Sequence, residues 1–135
     1  MTYGGGQQAI NRYRQMGEQA RALEASPHQL VQMMLDGAVG RLAAARGALE
    51  TGSVATKGEL IGKAIGLIDG LRAGLDTERG GEIADNLKAL YEYMGRRLLE
   101  ANLRNDAGAI DEVTVLLKEI RSGWEAIGPA AGGVR

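Results

Sequence analysis

The sequence predicts an all-α protein: an antiparallel up-and-down four-helix bundle preceded by a mobile, partly helical N-terminal segment. Three observations carry this. Apolar residues recur at three- and four-residue spacing in four long segments. Only a few residues of turn chemistry separate those segments, and short connections force neighbouring helices to run antiparallel. No stretch reads as a strand. With 135 residues the chain suits one domain with a real core. The expected organisation is a mobile cap over residues 1–24, the bundle over 25–128 and a flexible tail over 129–135.

The first helix is expected over SPHQLVQMMLDGAVGRLAAARGALE, from Ser26 to Glu50. Ser26 stands as N-cap, Pro27 at the first helical position and Gln29 three residues after the cap, which together make a capping box. Leu30, Val31, Met34, Leu35, Ala38, Leu42, Ala45 and Leu49 form the predicted core face. The opposite face holds Met33, Gly37, Gly40, Ala43, Ala44 and Gly47, with only Gln32 and Asp36 for polarity. A solvated helix face normally carries Lys, Glu and Arg. This one suits a partner.

Thr51-Gly52 is a stop signal, and Ser53 is expected to cap a second helix running to about Leu75. Its predicted core face is Leu60, Ile61, Ala64, Ile65, Leu67, Ile68, Leu71 and Leu75. Gly58, Gly62, Gly66, Gly70 and Gly74 recur every four residues on the remainder. Each interior glycine costs about 1 kcal/mol relative to Ala. Close approach by another helix and a merely glycine-tolerant composition explain the ladder equally well. Glu59, Lys63, Asp69 and Arg72 exclude a lipid-embedded helix.

Asp76 to Gly80 reads as a turn, with Gly80-Gly81 breaking the pattern before a third helix to Arg104. Ile83, Leu87, Leu90, Met94, Leu98 and Ala101 make its predicted core stripe, flanked by Tyr91. Leu99 and Leu103 project elsewhere, a second apolar strip that the core does not need. Asn105-Asp106 makes a tight connection with Asp106 as the next cap. The fourth helix presents Ile110, Val113, Leu117, Ile120, Trp124 and Ile127 in alternating steps of three and four, and Gly128-Pro129 ends it.

Composition narrows the function. Sixteen basic and seventeen acidic residues give a net charge of −1, which argues against a nucleic-acid module. An aromatic content of 4% without Phe leaves no base-stacking platform. The absence of Cys removes disulfides and thiolate metal sites and fits a reducing compartment. No run approaches the roughly 18 apolar residues of a spanning helix. The start, MTYGGGQQAI, lacks the pattern of a signal peptide. A cytoplasmic protein without membrane insertion is expected.

Catalytic chemistry is missing. A di-iron bundle needs inward carboxylates and Glu-x-x-His pairs, whereas the chain has one histidine, His28, and no such motif. No cofactor, metal or catalytic residue is expected. A histidine phosphotransfer module using His28 is the rival reading. There the imidazole stands exposed in mid-helix, while His28 sits beside Pro27 at a helix start, where an ordinary surface residue is expected. A purely structural, self-associating bundle is a third reading.

Four ordered segments carry a resemblance: SPHQLVQMMLDGAVGRL, KAIGLIDGLRAGLD, NLKALYEYMGRRLLEANLRND and the final GWEAIGP. Together, from about Tyr13 to Pro129, the chain closely resembles the flagellar secretion chaperone family FliS. The resemblance implies a cytoplasmic export chaperone that binds the disordered C-terminal segment of flagellin, blocks premature polymerisation and delivers its guest to the flagellar export gate. It also implies an N-terminal segment, here Ile10 to Leu23, able to cover part of the same surface with Tyr13 as anchor. Some family members bind an anti-sigma factor. A monomer or weak homodimer is expected. Residue reading and resemblance together nominate Tyr13, Met33, Gly37, Gly40, Ala44, Leu99 and Leu103 as partner contacts. A bundle with spare apolar strips accepts amphipathic helices by helix-in-groove binding.

Overall fold

A computed structural model describes residues 26–128 of the chain. The expected cap segment, with Tyr13, and the tail lie outside the described residues. Four helices follow one another: α1 Pro27–Glu50, α2 Val54–Ala73, α3 Thr77–Arg104 and α4 Ala107–Ile127. Connections of two or three residues turn the chain back each time. Helix α1 packs on α2 and α4, and α3 packs on the same two, so α1 and α3 occupy one diagonal of the bundle. The all-α four-helix architecture is the one the periodicity predicts.

Local chemistry sets the helix ends. Ser26 Oγ accepts from Gln29 N at 3.2 Å, and Gln29 Oε1 accepts from Ser26 N at 3.0 Å, completing the capping box. Asp76 and Asp106 cap α3 and α4 by accepting from Arg79 N and Ala109 N at 3.0 and 3.2 Å. Ser53 occupies the cap position of α2 without a side-chain cap bond; its hydroxyl meets Thr51 Oγ1 at 3.2 Å instead. Asn105, at φ 51°, takes the left-handed conformation that stops α3. The predicted turn before α3 is instead one capped helical turn. The break falls at Gly81, whose φ of 52° and ψ of −130° suit a residue without a Cβ.

The core follows the predicted stripes, with shifts in phase. Leu35, Ala38, Leu42, Ile61, Ala64, Ile68, Met94, Leu98, Ile110, Val113 and Leu117 are buried. Three predicted core residues are exposed. Leu30 is 41% exposed because α1 is rolled so that His28, Val31, Val39 and Ala48 point inward. Ile83, next to the break at Gly81, is 63% exposed, and Ala84 takes its place. Ile127, the last residue before Gly128 ends α4, is 54% exposed. Tyr91, expected at the edge of the stripe, is at its centre and 1% exposed.

The glycine ladder divides. A Cβ on Gly70 would come within 2.5 Å of Met34 Cε, and one on Gly58 within 3.5 Å of Asn102 Oδ1, so these two face neighbouring helices. Gly62 and Gly66 face open space.

Periodicity did not announce Lys57. It occupies an interior position of α2, 2% exposed, in line with Ile61, Ala64 and Ile68. Its Nζ donates to the backbone oxygen of Asn102 at 2.9 Å and to Asn105 Oδ1. A buried ammonium is tolerable here because it meets the unpaired carbonyl end of α3, where the helix dipole is negative. Its stem packs as an apolar chain. Lys57 thus ties α2 to the residue that ends α3. Lys57→Met keeps the stem and loses both donated bonds, and is expected to lower unfolding stability by about 1–3 kcal/mol. Urea titration measures this; an unchanged midpoint would make the tie dispensable.

Candidate functional site

Of the nominated α1 residues, Met33 is 44% exposed, and Gly40 and Ala44 are also exposed. Gly37 is half-buried: a Cβ there would meet Leu67 Cδ1 at 3.1 Å. It faces α2 of the same bundle and leaves the exposed strip. On α3, Leu99 is 56% and Leu103 83% exposed. These strips lie on the two diagonal helices, so they make two surfaces rather than one. A short helix cannot reach both at once; a long guest can.

Leu99 lies in an open groove of about 370 Å³ between α2 and α3. Ile65 shares the apolar part with Leu99, and the buried Tyr91 lines the bottom. Asp69 and Arg72 of α2 and Glu92 and Arg96 of α3 stand along its sides. Apolar periodicity gives no sign of this groove, since its walls come from two different helices. Val54 and Val115, 63% and 55% exposed, are further apolar residues on the surface that the stripes did not single out.

His28 corrects the expectation of a surface residue. It is 9% exposed, and its ring stacks on Trp124 with centroids 4.9 Å apart and planes 11° from parallel. His28 Nε2 lies 3.0 Å from the Trp124 carbonyl oxygen, and Trp124 Nε1 donates to the His28 carbonyl oxygen at 3.0 Å. A carbonyl only accepts, so Nε2 carries the proton. The exposed imidazole that a phosphotransfer module requires is not there. The ring joins the start of α1 to the end of α4.

A second tie holds α3 to α4. Glu112 accepts from Tyr93 OH and from Arg97 Nε, each at 2.7 Å, and Arg97 Nη1 also donates to Glu100 at 2.8 Å. The bonds from Arg97 and then Tyr93 hold the Glu112 carboxyl below its ordinary value of 4.5. The same hydrogen bond, aided by desolvation, holds the Tyr93 phenol above 10. Among the described residues no cluster of metal-ligating side chains occurs, and no helix is long and apolar enough to cross a membrane.

The fold is a four-helix bundle that leaves apolar and small residues exposed on α1 and α3. Comparison with known proteins makes the class specific. The family model described as flagellar protein FliS matches residues 9–131. The chain is 55% identical over 123 residues to the flagellar secretion chaperone FliS of Salmonella typhimurium, covering 90% of this chain and 91% of that one. It is 53% identical over 119 residues to the flagellar secretion chaperone FliSB of Pseudomonas aeruginosa, covering 88% and 94%. With its counterpart from Bacillus subtilis the identity is 33% over 101 residues, covering 75% and 74%. The chain belongs to the FliS family of flagellar secretion chaperones. Its role is that of a chaperone in flagellum assembly and export, and it is not enzymatic.

The Glu112 tie has a pH signature. A depressed folded pKa contributes stability above the ordinary carboxylate range and loses it as pH falls through the folded value. Wild type is therefore expected to exceed Glu112→Gln in stability at neutral pH, with the gap closing in strongly acidic solution. The raised Tyr93 value works oppositely: its contribution is present below pH 10 and is lost as pH rises through the folded value. Urea titrations of both proteins across the acid range check the first; a gap independent of pH would contradict it.

Proposed function

We propose that this protein is a cytoplasmic export chaperone for flagellin. In this reading it binds the disordered C-terminal segment of newly made flagellin, keeps it from polymerising and aids its delivery to the flagellar export gate. The observation that carries the proposal is the exposure of apolar and small residues on the diagonal helices α1 and α3, in a chain of the FliS family. The proposed contacts are Met33, Gly40 and Ala44 on α1 and Leu99 and Leu103 on α3.

Physical chemistry supports that choice. The surroundings of Gly40 are open, and the neighbouring small side chains let a guest backbone come close. Met33 supplies an adaptable apolar contact. A disordered guest has an ordering cost of several kcal/mol on binding, so useful affinity requires a large wrapped surface. Two strips separated by the width of the bundle suit a guest that wraps.

Calorimetry with the cognate flagellin C-terminal segment is expected to show saturable binding. Absence of binding would end the proposal. Gly40→Glu places a charge in open space, so helix content is expected to stay unchanged and stability to stay level or rise by about 0.5 kcal/mol. Binding is expected to be lost. Retained affinity would remove the α1 strip from the guest's path.

A further inference from the structure

Sulfur in this chain is confined to thioethers: there are five methionines and no cysteine. Three of the five lie among the described residues, and the bundle grades their access to solvent. Met94 is fully enclosed in the core on α3. Met34 is half-buried on α1 with its methyl over Gly70 of α2, where a Cβ would come within 2.5 Å of it. Met33, one residue earlier, is 44% exposed. Adjacent methionines differ this much because one helical step of about 100° separates the outer face of α1 from its contact with α2.

The neighbours of Met33 leave its sulfur open. One turn on stands Gly37, which has no side chain to cover it, and one turn back stands Leu30, itself exposed. The other side chains that oxidants attack are shielded among the described residues. Trp124 is buried and stacked on His28, Tyr91 is enclosed in the core, and the half-buried Tyr93 holds its phenol against Glu112. No thiolate is present to react first.

We propose that Met33 is a peroxide-sensitive modification site: it is oxidised before Met34 and Met94, and its sulfoxide weakens the grip on the exported guest while the bundle stays folded. Hydrogen peroxide is the oxidant. The sulfur lone pair forms an S–O bond to one peroxide oxygen as the O–O bond breaks, and the departing hydroxide takes the proton of the transferred oxygen. The products are methionine sulfoxide and water; sulfur gives up two electrons and peroxide takes them. Methionine sulfoxide reductases reverse the change, so it can serve as a switch.

The consequence depends on where the oxygen is added. At Met33 the polar S=O faces water in the free protein and is solvated there, so stability is kept. Beneath an apolar guest side chain the same group loses its water without gaining a partner, which disfavours the complex. At Met34 the methyl already fills the space over Gly70, so an added oxygen would push α1 away from α2 and loosen the bundle. The order of oxidation therefore separates a switch from damage. This rests on the flagellin reading above, in which Met33 is a proposed contact, and adds a chemical control over that contact.

The full chain is treated with a small excess of hydrogen peroxide, and fragmentation mass spectrometry locates the added oxygen. Excess peroxide is removed before calorimetry with the flagellin C-terminal segment. Wild type is compared with Met33→Leu, which removes the sulfur, and Met33→Gln, which places a permanent polar group. Sulfoxide is expected at Met33 at least about tenfold faster than at Met34 or Met94, with the urea midpoint of the singly oxidised protein unchanged. Oxidised wild type and untreated Met33→Gln are expected to bind about tenfold more weakly than untreated wild type, and reductase treatment to restore the oxidised protein. Met33→Leu is expected to bind equally before and after peroxide, which excludes Met1 and Met16 as the source of the loss. Oxidation of Met34 or Met94 as fast as Met33, or an equal loss of affinity by treated Met33→Leu, overturns the site. Affinity unchanged by Met33 sulfoxide overturns the switch and leaves the flagellin reading standing. Untreated wild type that does not bind the segment ends the flagellin reading, and the switch falls with it.

Discussion

Burial of one apolar stripe per helix is the constraint on which the rest of this molecule depends. The stripe on α3, from Ala84 through Tyr91, Met94 and Leu98 to Ala101, is fully enclosed between α2 and α4. Its geometry leaves Leu99 and Leu103 outside, because residues one or two steps beyond a buried position turn about 100° or 160° away on a helix of 3.6 residues per turn. The same holds on α1, where Leu35, Ala38 and Leu42 are inside while Met33, Gly40 and Ala44 are outside. The outer strips are thus not failed core. They are apolar or small residues at positions that a bundle of this size cannot bury.

Much of this was legible in the sequence. Four helices, their order, the capping box at Ser26 and the aspartate cap at Asp106 all follow from spacing and local chemistry, whereas Asp76, read as the start of a turn, caps a helix that opens one turn earlier than expected. Phase was less legible. Gly81 restarts α3 with Ala84 inward instead of Ile83, and nothing in an apolar count distinguishes those two before the break is seen. Lys57 was hidden for a different reason: its position is apolar by periodicity, and its ammonium is satisfied by the end of a helix more than forty residues away. His28 was hidden likewise. A histidine in a first turn reads as solvated until Trp124, 96 residues on, is brought against it.

The site divides along the same line. Exposure of Met33, Gly40, Ala44, Leu99 and Leu103 follows from their being off the stripe, which sequence spacing can express. Gly37 differs in being half-buried beside Leu67 of the next helix, a tertiary fact. The α2–α3 groove is tertiary throughout: Ile65 and Leu99 come from different helices.

Rigidity and reception are assigned to different parts. The ties made by His28 with Trp124, by Lys57 with the end of α3 and by Glu112 with Tyr93 and Arg97 each join two helices, and together they fix the frame. In the proposed function that frame stays put while the guest does the folding. The amide NMR spectrum of an isotope-labelled flagellin C-terminal segment, recorded alone and with one equivalent of unlabelled protein, tests this most directly. The account predicts narrow, disordered shifts alone and dispersed helical shifts for the segment in the complex. A segment whose spectrum stays disordered and unshifted beside the protein would contradict it.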